Sequence, residues 1–197
     1  MVRRHLHFRR MKMKKNVFLL VTVLITVLLA GCATFNQEGV AQGKYFSGYK
    51  GEYDPSKPIE EQCVLINLAD KDLFITHIDG EKARDNFGMA NAPATSIVNN
   101  AFIILQPGSH SLSLYYGEST AGGYSEGKTG GRFDFEPGQY YFITGGPRGN
   151  QLSVSFGNLA DYMTVPVYGS SVFTREQVPV ASVIDGINAV IKKGLKK

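Results

Sequence analysis

The amino-acid sequence predicts a mainly β protein: an antiparallel β-sandwich or small barrel followed by a C-terminal amphipathic helix. Three observations predict it. From position 61 onward, apolar or alternating runs of strand length recur between turn-forming residues. A strand–Pro-Gly–strand unit occurs twice, around Pro107-Gly108 and around Pro137-Gly138. The end of the chain then changes from period two to helical spacing. The expected organisation is a leader over 1–31, a flexible tether over 32–60, a β-sandwich domain over 61–170 and the helix within 171–197.

Taken in order, 32–60 mixes Gly39, Gly43, Gly48 and Gly51 with polar residues and ends in Asp54-Pro55-Ser56-Lys57-Pro58. Such a stretch buries too little surface to offset chain entropy, so it reads as a tether. Tyr45, Phe46, Tyr49 and Tyr53 are its candidates for docking onto the domain. Cys63–Leu68 and Leu73–Ile78 read as strands around a turn at 69–72, and Asp79-Gly80 supplies the next turn because both residues tolerate positive φ. Residues 85–94 read as loop, and Ile97-Val98 and Ala101–Leu105 as apolar segments.

The Pro-Gly units come next. Pro presets φ and Gly supplies the positive φ of a tight turn, so each unit is expected to be a hairpin. Alternation puts His110, Leu112, Leu114 and Tyr116 on one strand face, and Ser109, Ser111 and Ser113 on the other. The same rule places His77 with Leu73 and Ile75. Residues 117–131 are rich in Gly and Ser and read as a flexible loop joining the two units. Leu152, Val154 and Phe156 share one face of a further strand, and Met163–Tyr168 suits an edge strand because Pro166 cannot donate to a ladder. Val180, Val183, Ile184, Ile187, Val190, Ile191 and Leu195 form the helical stripe. Pro179 suits a first turn, and Lys192, Lys193, Lys196 and Lys197 suit the C-terminal dipole. The stripe fits docking on the β body or, as the sharper alternative, lying on an anionic membrane surface.

The N-terminal segment has the three parts of a secretory leader. Lys12, Lys14 and Lys15 precede the apolar stretch Val17–Ala30, which is shorter than a membrane span of about 20 residues. Leu29-Ala30-Gly31-Cys32 ends it. This box resembles the lipobox of bacterial lipoproteins. The resemblance implies that Leu29, Ala30 and Gly31 are read by a signal peptidase and that Cys32 carries a diacylglycerol. It implies a lipid-anchored envelope protein with the membrane as partner through Cys32. Ala33, where an Asp tends to retain Gram-negative lipoproteins in the inner membrane, implies the outer membrane.

Removing the leader changes the charge. It holds seven of the 21 Lys+Arg and none of the 17 Asp+Glu, so residues 32–197 carry 14 basic against 17 acidic groups, a net −3. The four terminal lysines apart, the balance is 10 against 17. A nucleic-acid partner, which needs a basic footprint, is excluded for the body.

Few residues suggest chemistry. With Cys32 committed to lipid, Cys63 is the one remaining thiol, and its apolar run predicts a buried structural group. Gly122–Thr129 matches the pattern of a phosphate-binding loop, but Gly130-Gly131 and an alternating strand follow where a helix is required. His77 and His110 lack the further ligands of a metal site, and Asp70, Asp72 and Asp79 lack a calcium-loop pattern. No serine sits in a nucleophile elbow. No cofactor, no metal and no catalytic set are expected. Tyr116, Tyr124, Lys128 and Arg132 are the candidates for contact with a polar or sugar ligand at the 117–131 loop.

Ile75–Gly80, Leu105–Leu114 and Phe135–Phe142 carry a turn of the form I-D-G followed by L-x-P-G-x-H-x-L and a second P-G-x-Y. Over about 63–144 this resembles PEGA-type and transthyretin-like β domains of envelope lipoproteins. The resemblance implies a non-enzymatic structural or interaction module, whose partners would be envelope proteins or polymers, with ligand binding at the Gly-rich loop as the alternative.

Overall fold

The computed structural model describes residues 36–68, 73–83, 100–120, 123–149, 151–169 and 175–195, all of which fall within one compact unit spanning 35–197. The lipobox, the 69–72 turn, the 85–94 loop and Ile97-Val98 lie outside the described residues.

The architecture is mainly β, with two face-to-face sheets that do not close into a barrel, and a C-terminal helix. Strands β1 (Ser47–Tyr49), β2 (Cys63–Asn67), β5 (Ala101–Leu105), β8 (Tyr140–Arg148) and β9 (Gln151–Asn158) form sheet A in the order β1-β5-β2-β8-β9. Strands β3 (Leu73–Ile78), β4 (Glu81–Lys82), β6 (Gly108–Thr120) and β7 (Gly123–Phe135) form sheet B in the order β4-β3-β6-β7. A ribbon of β10 (Thr164–Tyr168) and β11 (Arg175–Pro179) and the helices α1 (Gln37–Ala41) and α2 (Val180–Lys192) complete the body.

Sheet A is the middle of three layers. Cys63, Leu65, Ile103, Leu105 and Ile143 face sheet B, where they meet Leu73, Ile75, Leu112 and Leu114. Their neighbours Val64, Ile66, Phe102, Ile104 and Phe142 face the opposite way and meet Val165, Val178, Val183 and Ile187 of the ribbon and α2. That is why β2 and β5 are apolar at nearly every position: a strand covered on both faces has no solvent side. The α2 stripe is therefore spent on the body, as the docking expectation had it, and no described helix is long and apolar enough to cross a membrane.

Several local expectations change. Sheet A is mixed rather than purely antiparallel, since β1 runs parallel to β5 and β2 parallel to β8. The Pro-Gly units are not hairpins. β5 belongs to sheet A and β6 to sheet B, while β7 belongs to sheet B and β8 to sheet A, so each unit carries the chain across the core. Both glycines have positive φ, but only Gly138, at 71°, sits in a turn; Gly108, at 137°, is already the first residue of β6, and the two arms of each unit enter different sheets. The hairpins are instead β3–β4 around Asp79-Gly80, β6–β7 and β8–β9.

The segment expected to be a tether is built into the fold from Asn36 on. Asn36 caps α1 by accepting from the Glu38 N–H, Val40 and Phe46 are buried, and β1 extends sheet A. Two buried amides hold it. The Asn100 side chain donates to the carbonyls of Tyr45 and Tyr168 and accepts from the Tyr168 N–H. Gln62, fully buried, donates to the carbonyls of Asp54 and Lys57 and accepts from the Asp54 N–H. Such bonds stand in for the ladder that an irregular segment lacks. Gly186, a poor helix residue by propensity, has a packing reason: a Cβ there would overlap the Val40 carbonyl and lie 2.7 Å from the Phe46 ring, so its absence lets α1 approach α2.

Candidate functional site

Two groups of polar side chains stand out, one on each side of sheet B. The first is on its outer face. β3 carries one residue too many opposite β6: Ile75 pairs with Leu114 and His77 with Ser113, so Thr76 bulges. A bulge shifts the phase of alternation by one residue. His77 consequently shares a face with Ser113 and Tyr115, not with Leu73 and Ile75 as simple alternation predicts. The Thr76 hydroxyl donates to the Ser113 carbonyl and lies 3.2 Å from His77 Nδ1, fixing the bulge. Beside it lies an open groove of about 450 Å³ whose lining includes Thr76, His77, Ser113, Tyr115 and Lys128. Tyr115 stacks on Phe74 at 6.2 Å and its hydroxyl donates to Glu126. The groove thus offers a ring face, a cation and the hydroxyls of Thr76, Ser113, Tyr115 and Thr129.

The expected contact residues are only partly brought together. Residues 117–131 are not a loop: most of the stretch is the long β6–β7 ladder, in which Tyr116 lies opposite Gly127, Lys128 opposite Tyr115 and Arg132 opposite Ser111. Tyr116 is buried in the core, on the face away from Lys128. Arg132 lines a separate groove with Asp134 and Tyr141, and the backbone of Tyr124 lies opposite Ser119. Lys128 alone of the four lines the outer groove. The same ladder removes the phosphate-loop reading, because Gly127-Lys128-Thr129 is paired strand that continues to Phe135 with no helix after it.

The second group is a charge knot at one end of the sandwich, made of the buried His110 ring and two exposed carboxylates. His110 Nδ1 lies 2.6 Å from Asp79 Oδ2, and Nε2 lies 2.8 Å from the Gln106 carbonyl oxygen. Both neighbours are acceptors, and an imidazole satisfies two acceptors only by donating from both nitrogens, which is the charged form. Burial opposes that charge. The bonds to Asp79 and Gln106 and the carboxylates of Glu52 and Asp79 outweigh it and raise the His110 pKa above the ordinary imidazole value. Asp79 is shifted the other way, held down by the Ser111 N–H at 2.7 Å and by His110 and Arg132. Glu52 lies 4.0 Å from Nε2 and accepts from the Gln106 N–H.

Glu52, Asp79 and His110 place one possible metal ligand each within 4.8 Å of one another. A metal on Nε2 would have to displace the Gln106 contact, whereas a proton uses every acceptor as it stands. The knot therefore fits a proton better than a metal ion. It joins the segment before β2, the β3–β4 turn and the β5–β6 crossing. Sequence reasoning missed Glu52, which sits in the presumed tether, and Gln106, whose carbonyl carries no side-chain signal.

His77 and His110 lie on opposite faces of sheet B and form no joint site. Cys63 is fully buried, its Sγ is 3.3 Å from the Leu105 carbonyl oxygen, and burial pushes its pKa up to about 12. It is a structural thiol. Cys32, Leu29, Ala30 and Gly31 lie outside the described residues. No family model, curated protein or solved structure matches the chain.

Proposed function

We propose that the protein is a lipid-anchored cell-envelope lipoprotein that acts as a non-enzymatic interaction module. The observation that carries this is the Leu29-Ala30-Gly31-Cys32 box behind a basic and then apolar leader. Two acyl chains suffice for stable anchoring, so no spanning helix is needed. The test is intact mass and acyl labelling of the chain recovered from envelopes, with Cys32→Ala as control. The expected product begins at an acylated Cys32 and sediments with the outer membrane. Recovery of residues 1–31 on the mature chain, or of an unmodified Cys32, would refute it.

A second reading is favoured by the outer groove of sheet B. A bulge, a stacked Phe74–Tyr115 pair and Lys128 at one place suit a polar or sugar ligand, with sheet rather than loop as the platform. Titration with envelope oligosaccharides, followed by tyrosine fluorescence, tests it. Saturable binding weakened by both Tyr115→Ala and Lys128→Ala supports the groove; binding that neither change affects would rule it out as the binding site.

A further inference from the structure

The first described residue, Asn36, is four residues after Cys32 in the sequence. Asn36 already caps α1, and Val40 is fully buried. Four residues of extended chain reach at most about 14 Å. We propose that the layer of α1, α2 and the β10–β11 ribbon is a docking face that rests on the anionic phospholipid leaflet holding the acyl chains of Cys32. This rests on the reading of Cys32 as acylated, and adds to it an orientation and a partner surface.

Length excludes the orientation with sheet B on the leaflet. The chain enters the body through α1, whose Val40 belongs to the core on one side of sheet A, while sheet B covers the other side. Packed sheets are about 10 Å apart and a helix is about 10 Å thick, so the outer face of sheet B is roughly 20 Å from α1. If that face touched the leaflet, Asn36 would stand farther away than its leash can reach. With the helical layer on the leaflet, the leash reaches easily, and the groove at Tyr115 and Lys128 faces away from the membrane.

The chemistry of the layer agrees. Met163, 90% exposed, and Tyr162 sit at the start of α2, where the Val180 N–H donates to the Met163 carbonyl. At the other end of α2, about 20 Å away for 13 residues, are exposed Lys192 and Lys193. The Lys193 ammonium donates to the Gln42 carbonyl at 3.1 Å, so the two helices end together, beside exposed Lys44. Exposed Glu38, Asp161, Glu176 and Asp185 share the layer with exposed Arg175, so the basic excess is confined to the end where α2 stops, and Lys196 and Lys197 follow there in sequence. A body that is otherwise acidic thus has its basic end where an anionic surface attracts it.

The test uses the full lipidated chain in phosphatidylglycerol-containing vesicles. A fluorescent residue is placed at Met163 or at Ser113 on the outer face of sheet B, and headgroup-nitroxide lipids report proximity. Quenching is expected to be several-fold stronger at 163 than at 113. Inserting about 20 Gly/Ser residues after Phe35, an r.m.s. span of about 25 Å, is expected to narrow the difference, and Lys192→Glu with Lys193→Glu to narrow it further. Equal quenching at the two positions, or stronger quenching at 113, overturns the orientation while leaving acylation intact. Mass analysis showing no acyl group on Cys32 overturns the anchoring reading and this inference with it.

Discussion

Replacing His110 by leucine removes the donor from two acceptors at once. Asp79 Oδ2 at 2.6 Å loses a charged partner, and the Gln106 carbonyl at 2.8 Å loses the N–H that meets it. Hydrogen bonds to charged groups contribute roughly 1.5–3 kcal/mol each. The Asp79 side chain is 43% exposed and rehydrates when its partner leaves, so its share is discounted. The expected loss is about 2 kcal/mol near pH 6, or roughly 4–8 °C in Tm for a chain of this size. The pH dependence carries the sharper content. A histidine whose pKa is raised in the folded state contributes fully below its unfolded value, about 6.5, and the contribution is lost as pH rises through the folded value. Asp79, lowered in the folded state, contributes above the ordinary aspartate value and loses its contribution as pH falls through the folded one. Urea unfolding of wild type and His110→Leu, followed by tyrosine fluorescence between pH 5 and 9, measures the histidine effect, because Asp79 stays ionised throughout that range. The stability gap should be widest near pH 5–6 and narrow toward pH 9. Cys63, at about 12, stays protonated throughout. A gap that is constant with pH, or that grows as pH rises, refutes the doubly donating imidazole.

Gly186→Ala should destabilise by about 1–3 kcal/mol through overpacking against Val40 and Phe46, although alanine favours an isolated helix by about 1 kcal/mol; a thermal melt showing a higher Tm would reject the close approach of α1 to α2. Gln62→Leu leaves the Asp54 N–H and the Asp54 and Lys57 carbonyls without their buried partner, and a loss of about 2–3 kcal/mol is expected in chemical denaturation, with faster hydrogen exchange over 54–58. Unchanged exchange there would show that the amide does not order the segment. Cys63 should resist iodoacetamide at pH 8 in the native protein and react readily in urea, so rapid native alkylation would contradict its burial.

What the sequence makes legible is local. The apolar runs at Cys63–Asn67 and Ala101–Leu105, the Asp79-Gly80 turn and the helical stripe from Val180 all lie where expected, because each signal sits within a few residues. Partnership is not local. Pro107-Gly108 and Pro137-Gly138 specify a reversal, but whether the next strand joins the same sheet depends on residues far away in the chain. The presumed tether is the same case: its glycines suggest a loose chain until α2 meets Gly43, Asn100 bonds Tyr45 and Gln62 bonds Asp54 and Lys57. His77 shows a third limit, since one bulged residue at Thr76 reverses the face of the next strand residues with no mark in composition. The candidate groove was legible in part: alternation put Ser113 on the outer face and Lys128 was a named contact residue, but His77 was assigned to the wrong face and 117–131 to a loop.

Sheet A has a kinetic consequence. Its central strand β2 pairs with β5 and then with β8, whose paired residues are Tyr140–Ile143. The cover for its far face comes from β10, β11 and α2, at the end of the chain. A chain delivered N-terminus first therefore holds two strands that are apolar on both faces when only β3 and β4 of sheet B have been delivered and before the ribbon and α2. The β6–β7 ladder can form early from neighbouring residues, but the middle layer waits for nearly the whole polypeptide. During that interval β2 and β5 are the surfaces most exposed to wrong pairing, and a holding chaperone would act there.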